Sequence, residues 1–111
     1  MKPIRSGNRG SEATELENVI RLLRDHESEF RARGVARLAV FGSVARGEAG
    51  NRSDLDVVIE IEPGRKFSLI DQGSLRVRLC EIVGRQVDVV VRKSLRPRFA
   101  QAVAKESVAV F

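Results

Sequence analysis

The fold of this chain is decided by SDLDVVIEI, residues 53–61. Its β-branched residues predict a strand over residues 55–61. Side chains two apart in a strand point to the same face of a sheet, so Asp54 and Asp56 project together. The apolar residues that alternate with them face the core. A pair of carboxylates in such a strand has no evident structural role.

A third aspartate, Asp88, lies in a similar apolar run, VDVVV at residues 87–91. If the two strands are neighbours, three carboxylates converge on one surface, where like charges disfavour ionisation unless a cation joins them. Hard oxygen ligands favour Mg²⁺, which binds through a few carboxylates together with waters and substrate phosphates. The three aspartates therefore predict a magnesium site. The alternative is that each is an edge or turn residue facing solvent.

A glycine-serine turn, FGSVARG at residues 41–47, precedes the aspartate pair and opens a short helical turn. Gly42 lets the backbone approach a ligand closely. The Ser43 hydroxyl and the first amides of the turn can donate hydrogen bonds to a phosphate. Arg46 can reach the same phosphates or hold the loop through a carboxylate. Such a pair alone is most often a simple turn, so its meaning depends on the aspartates that follow.

Composition and charge exclude several classes of protein. The 111 residues are ordinary for one globular domain, and no segment approaches the roughly 20 apolar residues that span a bilayer. The N-terminus does not resemble a signal peptide and Cys80 is the only cysteine, so we expect a cytoplasmic protein without a membrane association. The net charge of +5 is concentrated in residues 1–10 and 92–105. With five Phe and no Tyr or Trp, the chain offers few stacking platforms, and direct nucleic-acid binding is not expected.

The pattern of apolar residues predicts an α+β fold, a short mixed sheet backed by helices. Residues 1–12 are polar and aperiodic and are expected to form a flexible arm, followed by one domain over residues 13–111. Thr14 and Glu17 form a candidate capping box for the first helix. The predicted helices cover about residues 14–33, 67–83 and 94–105, the strands cover about 36–41, 55–61 and 86–91, and residues 108–111 form an apolar tail.

Together, GSVARG at 42–47, SDLD at 53–56 and VDVV at 87–90 resemble the DNA polymerase β-like nucleotidyltransferase superfamily. The resemblance is nearest to its minimal nucleotidyltransferase branch and covers about residues 15–106. It implies the polymerase β-like fold and transfer of a nucleoside monophosphate from a triphosphate to a hydroxyl, with release of pyrophosphate.

The resemblance also assigns roles to individual residues. Asp54 and Asp56 match the family's ligands of two Mg²⁺ ions, and Asp88 matches the ligand that also helps to activate the acceptor hydroxyl. Gly42 and Ser43 match positions that contact the β- and γ-phosphates of ATP. To these nucleotide-binding residues we add Arg46, and Ser53, which directly precedes the aspartate pair.

Minimal nucleotidyltransferases are often antitoxins that add AMP to a tyrosine of a HEPN ribonuclease toxin, and the resemblance implies that role here. Two alternatives stay open: an antitoxin that only occludes its toxin, and a homo-oligomeric enzyme that modifies a small molecule. The basic segment at residues 92–98 could face the triphosphate, face the partner or be a solvated helix start.

Overall fold

The computed structural model describes residues 15–47 and 54–111. Within them, five helices and four strands follow one another in an α+β arrangement. In chain order these are α1 at residues 15–25, α2 (Glu27–Ala32), β1 (Val35–Phe41), α3 (Gly42–Arg46), β2 (Leu55–Ile61), α4 (Leu69–Val83), β3 (Val87–Val91), a 3₁₀ turn (Arg92–Ser94), α5 (Pro97–Glu106) and β4 (Val108–Ala109).

The strands form one mixed sheet in the order β3-β2-β1-β4. β1 is antiparallel to both of its neighbours, whereas β2 and β3 are parallel and are joined by α4. A parallel pair needs such a crossover because its strands begin at the same end of the sheet. The predicted mixed sheet backed by helices is confirmed. Among the described residues, no helix is long and apolar enough to cross a bilayer.

The expected single helix over residues 14–33 is wrong, because the chain turns at His26 between α1 and α2. The His26 amide donates to Leu23 O at 3.1 Å, and the ring Nδ1 donates to Leu22 O at 2.8 Å. The side chain thus takes the carbonyl that a continuous helix would offer to the His26 amide. The proposed cap at Thr14 lies outside the described residues.

Helix α4 begins at Leu69, two residues later than predicted, because Ser68 caps it. The Ser68 hydroxyl accepts from the Asp71 amide at 3.1 Å, and the Asp71 carboxylate accepts from the Ser68 amide at 2.8 Å. This reciprocal pair satisfies two donors that the first turn of a helix otherwise leaves unbonded. The helix ends at Val83, as predicted, and Gly84 follows it in the left-handed conformation.

The main core lies on one face of the sheet. Odd-numbered side chains of β2 pack there with apolar residues of α1, α2 and α4, and Phe30 is fully buried among them. Val58, which points to the other face of β2, and Val103 of α5 are buried outside this cluster. Helix α5 therefore covers part of the second face, which is also the face of Asp56 and Asp88.

Two side chains of α4 protect the exposed edge of β3. Arg76 Nε donates to Val87 O at 3.1 Å, and Gln72 Nε2 donates to Val89 O at 2.9 Å. Unpaired carbonyls on an edge strand invite pairing with another chain. These two hydrogen bonds occupy the carbonyls that point away from β2.

The apolar tail predicted over residues 108–111 contains a short strand. Val108 and Ala109 pair with β1, and Val110 is buried. Arg24 Nε donates to Val110 O at 3.0 Å. The tail thus closes the second edge of β1 and holds α1 to the sheet.

Candidate active site

Three strands meet at one end of the sheet, which we call the carboxylate edge. β1 ends there at Phe41, and β2 and β3 begin there because both run opposite to β1. In the sheet register, Asp56 lies beside Phe41 on one side and beside Asp88 on the other. The expectation that the two aspartate-bearing strands are neighbours is confirmed, and it brings these two carboxylates onto one face.

The aspartates interact electrostatically. Asp56 is partly buried, whereas Asp54 and Asp88 are exposed. Burial raises the pKa of Asp56 above its ordinary value, and the charges of Asp88 and Asp54 raise it further. The guanidinium of Arg46 acts in the opposite direction. The site therefore concentrates negative charge that a bound cation would relieve.

The carboxylates among the described residues do not form a complete metal cage. Among residues 15–47 and 54–111, no three carboxylate, imidazole or thiol groups lie close enough together to enclose a metal ion by themselves. Mg²⁺ is usually bound by one or two carboxylates, with waters and substrate phosphates completing its octahedron. An open carboxylate edge with hard oxygen donors fits an ion that shares its ligands with a triphosphate.

Gly42 is the residue that lets the turn pass directly over Asp56. Its φ of +79° lies in the left-handed region. A Cβ at this position would collide with Asp56 Oδ2 and would lie 3.2 Å from Asp56 Cγ. Only glycine fits here without moving the carboxylate, for both conformational and steric reasons.

Helix α3 starts at this glycine. The preceding N-cap residue, Phe41, offers no side-chain cap, so the first amides of the helix have no such acceptor. Ser43 is half-buried, and its hydroxyl makes no hydrogen bond to another described residue. The start of α3 therefore presents donors beside the carboxylate edge, as expected for a phosphate contact.

Comparison with known proteins agrees with this geometry. The family model described as "Nucleotidyltransferase domain" matches residues 20–110. The chain belongs to this nucleotidyltransferase family. Its members are nucleotidyltransferases, and the matched range contains all four strands and all the candidate residues.

Similar proteins include protein adenylyltransferase MntA from Thermococcus cleftensis, which is 38% identical over 96 residues, or 86% of this chain and 95% of the relative. A solved structure described as a candidate minimal nucleotidyltransferase is 39% identical, with a TM-score of 0.71, and the match covers 84% of this chain and 93% of the other. The solved complex of a tri-AMPylated Shewanella oneidensis HEPN toxin with its MNT antitoxin is 19% identical, with a TM-score of 0.58 over 90% of this chain and 71% of the other. At that identity it shows the fold alone.

One residue near the nucleotidyltransferase site was not anticipated from the sequence. Glu106, at the end of α5, accepts a hydrogen bond from Arg46 Nη1 at 3.0 Å. The contact ties α3 to α5 across 60 positions of sequence. No local pattern connects the two residues, because the contact exists only once α5 has folded back over the sheet.

The remaining candidates are Ser53 and the basic segment at residues 92–98. Ser53 lies outside the described residues. The basic segment begins after the end of β3, at the edge of the sheet opposite Asp88, and Arg92 Nε is bonded to Glu60 Oε2 at 3.0 Å. Its first residues therefore do not face the carboxylates.

Proposed function

We propose that this chain transfers AMP from ATP to a hydroxyl, most simply a tyrosine hydroxyl, of a partner HEPN ribonuclease and thereby acts as its antitoxin. The observation that carries the proposal is the edge where Gly42 packs over Asp56 and Asp56 lies beside Asp88. This edge combines carboxylates for magnesium with a turn that can approach a triphosphate. The setting we propose is the cytoplasm, where ATP and Mg²⁺ are available.

In this proposal Asp54, Asp56 and Asp88 hold two Mg²⁺ ions, which would neutralise charge on the triphosphate. Asp88 is exposed, so an incoming hydroxyl can reach it and its carboxylate can accept the hydroxyl proton. The acceptor oxygen then bonds to the α-phosphorus, and the bond from that phosphorus to the bridging oxygen breaks. Pyrophosphate leaves with the electron pair of that bond.

The nucleotide-binding roles follow from position. The backbone at Gly42 and the Ser43 hydroxyl would donate to the β- and γ-phosphates. Arg46 is near enough to Asp56 to affect its pKa, so its guanidinium can also approach a phosphate at this edge. Ser53 is assigned to the nucleotide on the sequence resemblance alone.

The acceptor in this proposal is another protein. Support comes from the relatives: MntA is named a protein adenylyltransferase, and the Shewanella neighbour is a complex with an AMPylated HEPN toxin. These partners belong to those proteins, and their chemistry motivates the same partner class here.

The test is transfer of labelled AMP from α-phosphate-labelled ATP to a purified HEPN ribonuclease. Asp54→Asn and Asp56→Asn should each reduce the rate by roughly 100-fold or more, comparable to the loss of a major electrostatic contact in an active site. Asp25→Asn, the same change at an exposed position of α1, is the matched control and should transfer normally. Normal transfer by both active-site variants would refute the mechanism.

Occlusion without catalysis is the second candidate, and it is favoured by the exposed apolar residues of α4 described below. A chain with Asp54, Asp56 and Asp88 all changed to Asn separates the two. If this variant protects cells that express the toxin as well as the wild-type chain does, neutralisation occurs by binding. Loss of protection with retained binding supports the catalytic function.

A further inference from the structure

Helix α4 has an apolar outer face in addition to its apolar core face. Leu75 and Leu79 are fully buried against the sheet. Leu69 and Ile70 are nevertheless 84% and 83% exposed, and Val77 is 53% exposed. A helix that packs on one side only normally presents polar residues on the other side. Three large apolar side chains of α4 therefore remain uncovered by the described residues.

The exposed residues share one surface. At 100° per residue, Ile70 and Val77 lie nearly in line along the helix, and Gly73 lies between them. Leu69 extends the same surface at the first turn. We call Leu69, Ile70, Gly73 and Val77 the outer α4 face.

Gly73 makes the middle of this face concave. It is exposed, and a Cβ placed on it would have no atom within 4 Å among its neighbours. Glycine inside a helix costs about 1 kcal/mol relative to alanine. The bare backbone between Ile70 and Val77 allows another helix to approach more closely than a larger side chain would.

One side of the face is predominantly basic. A hollow of about 200 Å³ adjoins it there and is lined in part by Arg33, Arg65, Lys66 and Ser74. The hollow has one acidic residue, Asp71, against three basic ones, and its carboxylate accepts from the Ser68 amide in the capping box. A partner that covers the apolar face would therefore meet a rim that favours acidic groups.

We infer that the outer α4 face docks an apolar helix with acidic flanking residues from the partner protein; this inference rests on the proposed function. A second copy of the chain is a poorer occupant, since a two-fold contact would bring the basic rims together. A membrane surface is also a poorer occupant, because a concave face with a bare glycine suits a protruding side chain and not a flat bilayer.

The location of this face gives it a role distinct from transfer. α4 covers the core face of the sheet, whereas Asp56 and Asp88 point to the opposite face. A partner held on α4 leaves the carboxylate edge open. Docking and modification would then involve two different surfaces, as a stable complex that also receives AMP requires.

The experiment measures binding and transfer with the purified HEPN ribonuclease that serves as acceptor in the transfer assay. The double change Ile70→Asp and Val77→Asp should raise Kd by roughly 100-fold, which is the effect of losing a central hot spot. Transfer should show a raised KM for the partner with an unchanged kcat. Phe99→Asp is the matched control, because Phe99 is also 53% exposed but lies on α5, over the other face of the sheet.

A second pair of variants tests the contour of the face. Gly73→Ala should strengthen the helix and bind almost normally, whereas Gly73→Arg should weaken binding about as much as the double change does. Unchanged thermal stability for Ile70→Asp/Val77→Asp shows that the free chain stays folded. The Asp56→Asn variant should bind normally and transfer poorly, so a failure of docking is distinguishable from a failure of the proposed reaction.

Several results would overturn the inference. Wild-type Kd for the double variant or for Gly73→Arg excludes the outer α4 face as the docking site, as does weaker binding by Phe99→Asp alone. Dimerisation of the free chain that the double change abolishes assigns the face to a second copy. Binding to phosphatidylserine vesicles that the double change abolishes assigns it to a membrane.

Discussion

Gly42→Ala offers a sharp test of the site, because it should damage transfer far more than stability. The alanine would keep a φ near +79°, where an L-residue is strained by about 1–2 kcal/mol. Its Cβ would also meet the Asp56 carboxylate, with Cγ at 3.2 Å and Oδ2 closer still. The carboxylate is the end of a side chain and can swing aside, so the fold should survive at the cost of the strain.

The displacement of Asp56 is what should reduce catalysis. A shift of about 1 Å in a reacting geometry can cost about 100-fold in rate. We therefore expect a loss of about 1–2 kcal/mol in the free energy of unfolding, measured by urea titration, together with a roughly 100-fold fall in transfer of labelled AMP.

Gly84→Ala is the matched control. Gly84 has a φ of +73°, and a Cβ there would meet nothing within 4 Å, so this variant carries the same kind of strain without the collision. It should lose similar stability and transfer normally at a temperature where both variants are folded. Equal transfer by Gly42→Ala and Gly84→Ala would refute the argument that the contact with Asp56 matters.

Three further predictions concern stability. Asp56→Asn should raise the free energy of unfolding at neutral pH in magnesium-free buffer, because burial and neighbouring carboxylates raise the pKa of Asp56 in the folded chain. The gain should shrink as the pH falls below the folded pKa towards the unfolded value of 3.8; urea titrations that show no gain at neutral pH would contradict this. Arg78→Ala removes a 2.6 Å ion pair to Glu29 that lowers the pKa of Glu29, so melting temperatures should show destabilisation above about pH 4.5 and a loss of that effect in acid. Phe30→Ala should cost about 3–5 kcal/mol in urea titrations, because the ring is fully buried, and a cost below 1 kcal/mol would show that the core can collapse around the gap.

Local patterns were enough to predict most elements and the candidate site. The alternation around Asp54 and Asp56 predicted β2 and the face of its carboxylates, since the period of two is a property of any strand. Gly42 marked the end of a strand because few residues other than glycine adopt a positive φ. The sequence did not show that β2 pairs with β3, and the expected convergence of their carboxylates depended on that pairing.

Long-range contacts decided the features of the fold that local patterns did not predict. The bond from Arg46 to Glu106, the pairing of the C-terminal strand with β1 and the hydrogen bonds that protect the β3 edge all join residues whose separation along the chain follows no period. The break at His26 is a local contact, but a helical pattern of apolar residues continues through it, so the pattern could not reveal it.

The sequence by itself determined which residues are candidates for the chemistry, because carboxylates, a glycine and a serine in this order are recognisable before any folding. Only the tertiary structure decided that Gly42 packs against Asp56, that Asp56 lies beside Asp88, and that α4 leaves an apolar face uncovered by the described residues. The physical reason is that distance and exposure depend on how separate elements pack, whereas residue type and spacing are local.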